Sequence, residues 1–236
     1  MFGSESVCSK IPKRNQSILG LIKSFLNLEK YCTMTEALIK PKSRRTHEKS
    51  KIVSLETYFR LEERSLHKNE YHNGIIKPMA GALYSHTRLA QKIATLIDMF
   101  MEDKDYEFIV TNSDTKVRIE NYDKVVYPDA VVVSEKPEFY KTRKDTIINP
   151  LLIVEVLSKS TADYDKGTKF EMYRSLPSFE EYVLVHQVQK QVTVYTKQAD
   201  ESWVVRDYFD DESNAILHSL HQCPISLKRL YKGIEV

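Results

Sequence analysis

An acid inside an apolar run restricts the fold of this chain more than any other feature of its sequence. Residues 151–157 read LLIVEVL, and an apolar run of this length between polar residues is typical of a fully buried strand. Glu155 lies in the middle of that run. Burying an ionised carboxylate without partners costs several kcal/mol. The sequence therefore implies that other groups, or a metal ion, meet Glu155 inside the protein.

Asp129 is the natural second acid of such a site. It follows Pro128 and opens DAVVVS, the preceding apolar strand. If the two strands pair, the carboxylates of Asp129 and Glu155 converge. Hard cations such as Mg²⁺ bind carboxylate oxygens and waters. The pattern predicts a site for Mg²⁺ or Mn²⁺ at these two acids, although Asp129 taken alone also suits a turn.

A predicted helix over residues 162–175 directly follows the Glu155 strand. Asp165 and Lys169 are four residues apart on it and share a face, which Tyr173 continues. Taken alone, such a pair is more typical of a surface ion pair. Because the helix begins where the strand ends, its first turn can point back at the acids.

Hydrophobic periodicity predicts helices and strands in mixed order through the rest of the chain. Asn73-Gly74 is a typical hairpin turn, and Ser54 and Ser85 are expected helix caps. Helices are predicted over 54–64 and 85–103, and strands over 69–81 (a hairpin), 106–112, 115–121, 127–135, 180–187, 191–197 and 202–209. This order indicates an α/β or α+β domain with a mixed central sheet flanked by helices.

Charge divides the chain into two parts. Residues 1–51 hold eleven Lys or Arg and four Asp or Glu, whereas the remainder holds 24 and 29. We expect a basic, flexible N-terminal extension over 1–51 and a folded domain over 52–236. Met34 offers an alternative translation start. An acidic body is less typical of a purely electrostatic DNA binder than of a protein with acidic metal ligands.

Cysteine usage and hydropathy restrict the compartment. The three cysteines, Cys8, Cys32 and Cys223, show neither paired nor metal-ligand spacing, which favours a reducing, cytoplasmic environment. No stretch approaches the 18 apolar residues typical of a membrane-spanning helix. We expect no membrane association.

The apolar strands and the helix that follows them resemble the Uma2 family of restriction-endonuclease-like proteins, across about residues 54–210. That family resembles the PD-(D/E)XK nucleases, which implies a restriction-endonuclease-like core. The matching stretches are NEYHNGIIKPMAGALYSHTRLA, YPDAVVV, PLLIVEVLSKSTADYDKGTKFEMY and SFEEYVLV.

The resemblance implies roles for the residues singled out above. Asp129 and Glu155 take the two acidic positions of the superfamily pattern and would be catalytic metal ligands. Leu157 stands where that pattern has a lysine, and Lys169 on the following helix is expected to replace it.

Three further residues are expected to support this site. Glu70 is expected as a further acid near the metal, although alone it is typical of a solvent-facing strand acid. Asp165 and His86 match recurring family positions, and a histidine in the first turn of a helix is more often structural than catalytic.

The expected activity is Mg²⁺-dependent endonucleolytic hydrolysis of DNA. Cleavage of both strands would favour a homodimer, since one site cuts one strand. Three alternatives stay open: a nucleic-acid-binding module that has lost activity, a non-nuclease hydrolase that uses the paired acids, and a structural subunit whose buried acids are neutralised by Lys169 and another base.

Overall fold

The strand that carries Glu155 lies inside the larger sheet of the computed structural model, which describes residues 52–158 and 162–236. This strand, β8 (Leu152–Leu157), is buried along its whole length. Its side chains alternate between two hydrophobic clusters: Val154 and Val156 enter the first, and Ile153 and Leu157 enter the second. A strand buried on both faces needs the continuous apolar run seen in the sequence.

The strands form two large sheets and one small sheet. The larger one has the order β11-β10-β9-β8-β6-β3, the second β2-β1-β5-β4-β7, and β12 pairs with β13. In the larger sheet β8 is antiparallel to β6 and parallel to β9. The other strands are β1 (Asn69–His72), β2 (Ile75–Pro78), β3 (Phe108–Asn112), β4 (Lys116–Ile119), β5 (Lys124–Val126), β6 (Ala130–Ser134), β7 (Thr146–Ile147), β9 (Glu181–His186), β10 (Gln191–Lys197), β11 (Trp203–Phe209), β12 (Asn214–Leu217) and β13 (Cys223–Ser226).

Helices cover both faces of the larger sheet. The long helix α2 packs Leu89, Ile93 and Ile97 into the first cluster, and the helical stretch after β8 contributes to the second. The helices are α1 (Leu55–Glu62), α2 (Tyr84–Lys104), α3 (Ala162–Tyr164), α4 (Phe170–Tyr173) and α5 (Leu227–Tyr231), with a π-helical turn at Asp165–Lys169 and a 3₁₀ turn at Glu120–Tyr122.

Local turn and cap predictions met different outcomes. The hairpin turn at Asn73-Gly74 is confirmed, because both residues adopt positive φ. The Ser54 cap is also confirmed, since its hydroxyl accepts from the backbone N–H of Thr57 at 3.2 Å. The Ser85 cap is wrong: α2 begins one residue earlier, and Leu83 is its N-cap without a side-chain hydrogen bond. The Ser85 hydroxyl instead accepts from Gln187 Nε2 at 3.0 Å.

The predicted fold class is confirmed as mixed α and β with helices beside a mixed sheet. The prediction of one central sheet was too simple, because β1, β2, β4, β5 and β7 form a sheet of their own. The strands at 191–209 complete the larger sheet. Short strands such as β7, which lies between the strands predicted at 127–135 and 151–157, were missed.

Several sequence-based expectations lie outside the described residues. These are the extension over 1–51, its basic arm, and Cys8 and Cys32. Cys223 is buried as a free thiol. Within 52–158 and 162–236, no helix combines the length and hydrophobicity needed to cross a membrane.

Candidate active site

Five structural elements bring the six predicted site residues into one cluster. Strand β8 carries Glu155, and Asp129 immediately precedes its neighbour β6. The pairing predicted for these strands is confirmed: Ala130 lies opposite Val154, so the next register position sets Asp129 opposite Glu155. The π-helical turn carries Asp165 and Lys169, β1 carries Glu70, and α2 carries His86.

Glu155 meets two donors on the helical side of the sheet. Its side chain is only 6% exposed, and its Oε1 lies 2.6 Å from Lys169 Nζ. The Tyr173 hydroxyl donates to the same oxygen at 2.9 Å. Burial raises the pKa of Tyr173 well above its ordinary value, so this phenol remains a donor. The cost of burying the Glu155 charge is therefore offset by an ion pair and a hydrogen bond.

A π-helical turn presents Lys169 and Asp165 to this acid. Lys169 Nζ lies 3.6 Å from Asp165 Oδ1, and both side chains are buried. Tyr182 anchors the turn by donating from its hydroxyl to the Asp165 carbonyl at 3.1 Å. π-turns occur frequently at functional sites because they re-aim side chains within a helix. The surface ion pair that spacing alone favours is thus replaced by a buried one.

Asp129 is held by one contact on each oxygen. His86 Nε2 lies 2.9 Å from Oδ1, and the backbone N–H of Val156 donates to Oδ2 at 2.8 Å. The second contact fixes the Asp129 carboxylate against the strand that carries Glu155. The pKa of His86 is raised because the hydrogen bond and charge of Asp129 outweigh the opposing effect of burial.

Glu70 reaches the cluster from the second sheet and brings a histidine that the sequence interpretation missed. His72 Nε2 lies 2.7 Å from Glu70 Oε2. The two residues are two apart on β1, so alternation of side chains along a strand places them on one face. The pKa of Glu70 is lowered because His72 and the charge of Lys169 outweigh burial. The i, i+2 spacing of Glu70 and His72 was the sequence signal that could have identified this histidine.

The acids outnumber the permanent cation at this site. Burial raises the pKa of Glu155 to about 8, and repulsion from Asp129 and Asp165 adds to the increase. Burial alone would lower the pKa of Lys169, but attraction to Glu155, Asp165 and Glu70 raises it. Burial and the surplus of negative charge together make Glu155 hold its proton more tightly than usual, and the same surplus keeps Lys169 protonated. Such a cluster favours the binding of a further cation.

The donor atoms at this site suit a divalent ion that is held by only two carboxylates and keeps several water ligands. Within residues 52–158 and 162–236, no three His, Cys, Asp or Glu side chains form a group that holds a metal ion by itself. Mg²⁺ is commonly bound by only one or two carboxylates, with waters and substrate phosphates completing its shell. Asp129 and Glu155 fit that open arrangement, and a closed cage of protein ligands is not formed.

Leu157 is an apolar residue at the strand position where the superfamily pattern has a lysine. It is buried at the end of β8 and packs in the second hydrophobic cluster. The strand therefore offers no cation at this position. Lys169 is the lysine that reaches Glu155, and it does so from the helical side.

Comparison with known proteins gives the family. Residues 55–228 match the family model Uma2, described as "Putative restriction endonuclease". The chain belongs to the Uma2 family. The match runs from the first residue of α1 to the start of α5 and includes all six predicted site residues.

Two relatives of this chain come from one cyanobacterium. The Synechocystis sp. protein sll1609 is 35% identical over 164 residues, covering 70% of this chain and 92% of the relative. The protein slr1290 of the same organism is 35% identical over 158 residues, covering 66% and 80%. Both are described as uncharacterized proteins.

The solved structure shows the same fold at low sequence identity. A crystal structure from Anabaena variabilis, described as "a putative nuclease belonging to DUF820", superposes with a TM-score of 0.61 at 13% identity. It covers 76% of this chain and 98% of that one. The fold is consistent with a restriction-endonuclease-like core, and with the family match it makes this Uma2 protein nuclease-like.

Proposed function

We propose that this Uma2 protein is an Mg²⁺-dependent endonuclease that hydrolyses phosphodiester bonds in DNA. The observation that carries the proposal is the convergence of Asp129 and Glu155 on paired strands, with the Lys169 ammonium 2.6 Å from Glu155. Two carboxylates and a lysine on one buried surface provide an open cation site beside a fixed positive charge. The family description supports the same reaction class.

Asp129 and Glu155 would hold Mg²⁺ or Mn²⁺, which when bound supplies a Lewis acid that lowers the pKa of water and offsets phosphate charge. The other residues prepare this site. His86 and the Val156 N–H orient Asp129, and Tyr173 orients Glu155. These contacts keep both carboxylates in place without ordering them anew for each turnover.

Lys169 is the proposed electrostatic group of the reaction. In hydrolysis a water oxygen bonds to phosphorus while the bond from phosphorus to one sugar oxygen breaks, and the departing oxygen gains a proton. Negative charge accumulates on the phosphate oxygens during this exchange. From its position beside Glu155, the Lys169 ammonium would donate to the attacking water or to a phosphate oxygen.

DNA and a second subunit are part of the proposal. The basic residues at 40–51, outside the described range, would add phosphate contacts that do not depend on base sequence. Double-strand cleavage would use a homodimer, with one site for each strand.

The decisive experiment combines metal titration with plasmid nicking for the wild type and Glu155→Gln. Calorimetry with Mg²⁺ and Mn²⁺ should detect binding to the wild type only, and nicking should fall at least about 100-fold in the variant. Glu181→Gln is the matched control, since it replaces another buried glutamate on the neighbouring strand and should keep both properties. Nicking by Glu155→Gln at the wild-type rate would refute the assignment of Glu155 to the active site.

One observation favours a second candidate, an inactive nucleic-acid-binding module. Leu157 leaves β8 without a lysine, so the superfamily pattern is incomplete on this strand. This candidate predicts that labelled DNA binds to the wild type, and that neither Mg²⁺ nor Mn²⁺ produces nicking. Calorimetry and nicking on the same samples separate the two functions.

A further inference from the structure

The hydroxyl of Tyr164 is a buried polar group that the mechanism above does not use. Tyr164 ends α3 and immediately precedes the π-helical turn that carries Asp165 and Lys169. Its Oη is buried, yet no group of the described residues hydrogen-bonds to it. Buried hydroxyls in folded proteins nearly always have a partner, so an exception calls for a physical reason.

The position of this hydroxyl ties it to the acidic cluster. Burial raises the pKa of Tyr164 to about 12, and the charges of Glu70, Asp165 and Glu155 raise it while Lys169 opposes them. Tyr164 and Lys169 stand five residues apart across the π-turn, which is the hydrogen-bond spacing of such a turn. A regular α-helix would turn these two side chains toward different directions.

The neighbouring phenols make the contrast clear. Tyr173 donates to Glu155, and Tyr182 donates to the Asp165 carbonyl. Tyr164 alone of these three has no acceptor among the described residues, although several carboxylates lie within electrostatic range. The hydrogen-bond donor of this hydroxyl is therefore unused among the described residues.

We propose that Tyr164 is a substrate-contacting residue whose hydroxyl donates a hydrogen bond to a non-bridging oxygen of the bound phosphodiester. The inference rests on the proposed function and names the chemical class that this position recognises. A phenol that stays protonated at neutral pH adds a donor without adding charge, and it cannot act as a general base there. A phosphate oxygen is a strong acceptor and lies beside the metal site in the proposed complex.

Tyr164→Phe gives the test because it removes only the hydroxyl. A short fluorescein-labelled DNA oligonucleotide reports binding by anisotropy in EDTA, where cleavage is prevented, and plasmid nicking in Mg²⁺ reports turnover. We expect nicking to fall about 10- to 100-fold, as for one lost hydrogen bond to a charged acceptor, and oligonucleotide binding to weaken. The melting temperature should stay unchanged or rise, because the hydroxyl has no hydrogen-bond partner among the described residues to lose.

Two other tyrosines provide matched controls for the same substitution. Tyr173→Phe removes a hydroxyl that already donates to Glu155, so it should lower the melting temperature. Tyr231→Phe removes a hydroxyl of α5 that donates to the carbonyls of His186 and Gln191, and it should lower the melting temperature without a specific loss of nicking.

The outcomes separate the two proposals. If the wild type nicks DNA and Tyr164→Phe binds and nicks equally well, the Tyr164 inference fails and the proposed function stands. A Tyr164→Phe variant that melts as early as Tyr173→Phe would also overturn it, since the hydroxyl would then be structural. A wild type that binds DNA without nicking it would refute the proposed endonuclease activity. The anisotropy measurement on Tyr164→Phe would then still decide whether Tyr164 contacts DNA. A wild type that neither binds nor nicks DNA would overturn both the proposed function and the Tyr164 inference.

Discussion

Two neighbouring strands each bury one glutamate, and the two side chains are satisfied in opposite ways. Glu155 on β8 meets a charged lysine and a phenol on a single oxygen. Glu181 on β9 is completely buried and is met by neutral donors on both oxygens. Oε1 accepts from Thr196 Oγ1 at 2.8 Å and the His218 N–H at 2.9 Å, while Oε2 accepts from the Ser219 hydroxyl at 2.8 Å and its N–H at 3.2 Å.

The difference teaches how to distinguish a structural buried acid from a functional one. Glu181 has enough neutral donors for both oxygens, so a cation has little to add. Glu155 shares one lysine with Asp165 in a cluster where acids are in surplus. Burial raises the pKa of both glutamates, so pKa alone does not separate them. The identity of the hydrogen-bond partners does.

Lys169→Met should give the largest change in stability. It leaves Glu155 and Asp165 buried without their cation, which typically costs about 3–5 kcal/mol. Urea unfolding at about pH 9, above the Glu155 pKa of about 8, measures the loss, and the double variant with Glu155→Gln should recover much of it. The loss should shrink below that pKa, where Glu155 is protonated. A loss below about 1 kcal/mol would mean that this pair resembles an exposed one.

The pH dependence of stability should separate the acids next. Glu155 has an ordinary pKa of 4.5, which the folded protein raises to about 8. Between these values the folded state binds more protons than the unfolded state, so stability falls as pH rises. The contribution is complete below pH 4.5 and lost as pH passes about 8. Thermal unfolding in EDTA should show this decline, and Glu155→Gln should flatten it.

Added Mg²⁺ provides the control for that experiment. A cation that binds the folded protein at Asp129 and Glu155 should restore the melting temperature most strongly at the upper end of the pH range, where Glu155 is ionised. Glu155→Gln should not respond to the ion. An equal rise in both proteins would indicate that Mg²⁺ acts elsewhere.

Replacing the two glutamates by glutamine should have unequal effects on stability. In Glu155→Gln the amide oxygen can take the position that Lys169 and Tyr173 both contact. In Glu181→Gln the amide NH₂ must face donors on one side or the other, at a cost of about 1–3 kcal/mol. Equal losses in chemical unfolding would contradict the distinction drawn between these residues.

Ser219→Ala should have the smallest effect. It removes one of the four hydrogen bonds to Glu181 and keeps the backbone N–H of the same residue. We expect a loss of about 1 kcal/mol in unfolding free energy with unchanged nicking. A larger loss, or any specific change in nicking, would give Glu181 a role that its neutral partners do not suggest.

Local sequence was enough to predict most of the framework. The apolar run of β8 and the stripe of α2 produce their elements through periodicity, and Asn73-Gly74 produces its turn through backbone preference. These signals are carried by neighbouring residues, so no knowledge of distant contacts is needed. The same run showed that Glu155 is buried, strand position and helical spacing singled out Asp129, Asp165 and Lys169, and the resemblance added Glu70 and His86.

Partners distant in sequence were decided only by the tertiary structure. Glu181 appears as one of two adjacent acids at a strand start, and its donors come from residues 196, 218 and 219. Ser85 suits a helix cap, yet its hydroxyl accepts from Gln187. The sequence alone determined that Glu155 is buried, because burial follows from its neighbours along the strand. Only the packed structure decided that Lys169 and Tyr173 meet it, because a buried charge is stabilised by whichever groups the fold brings within hydrogen-bond distance.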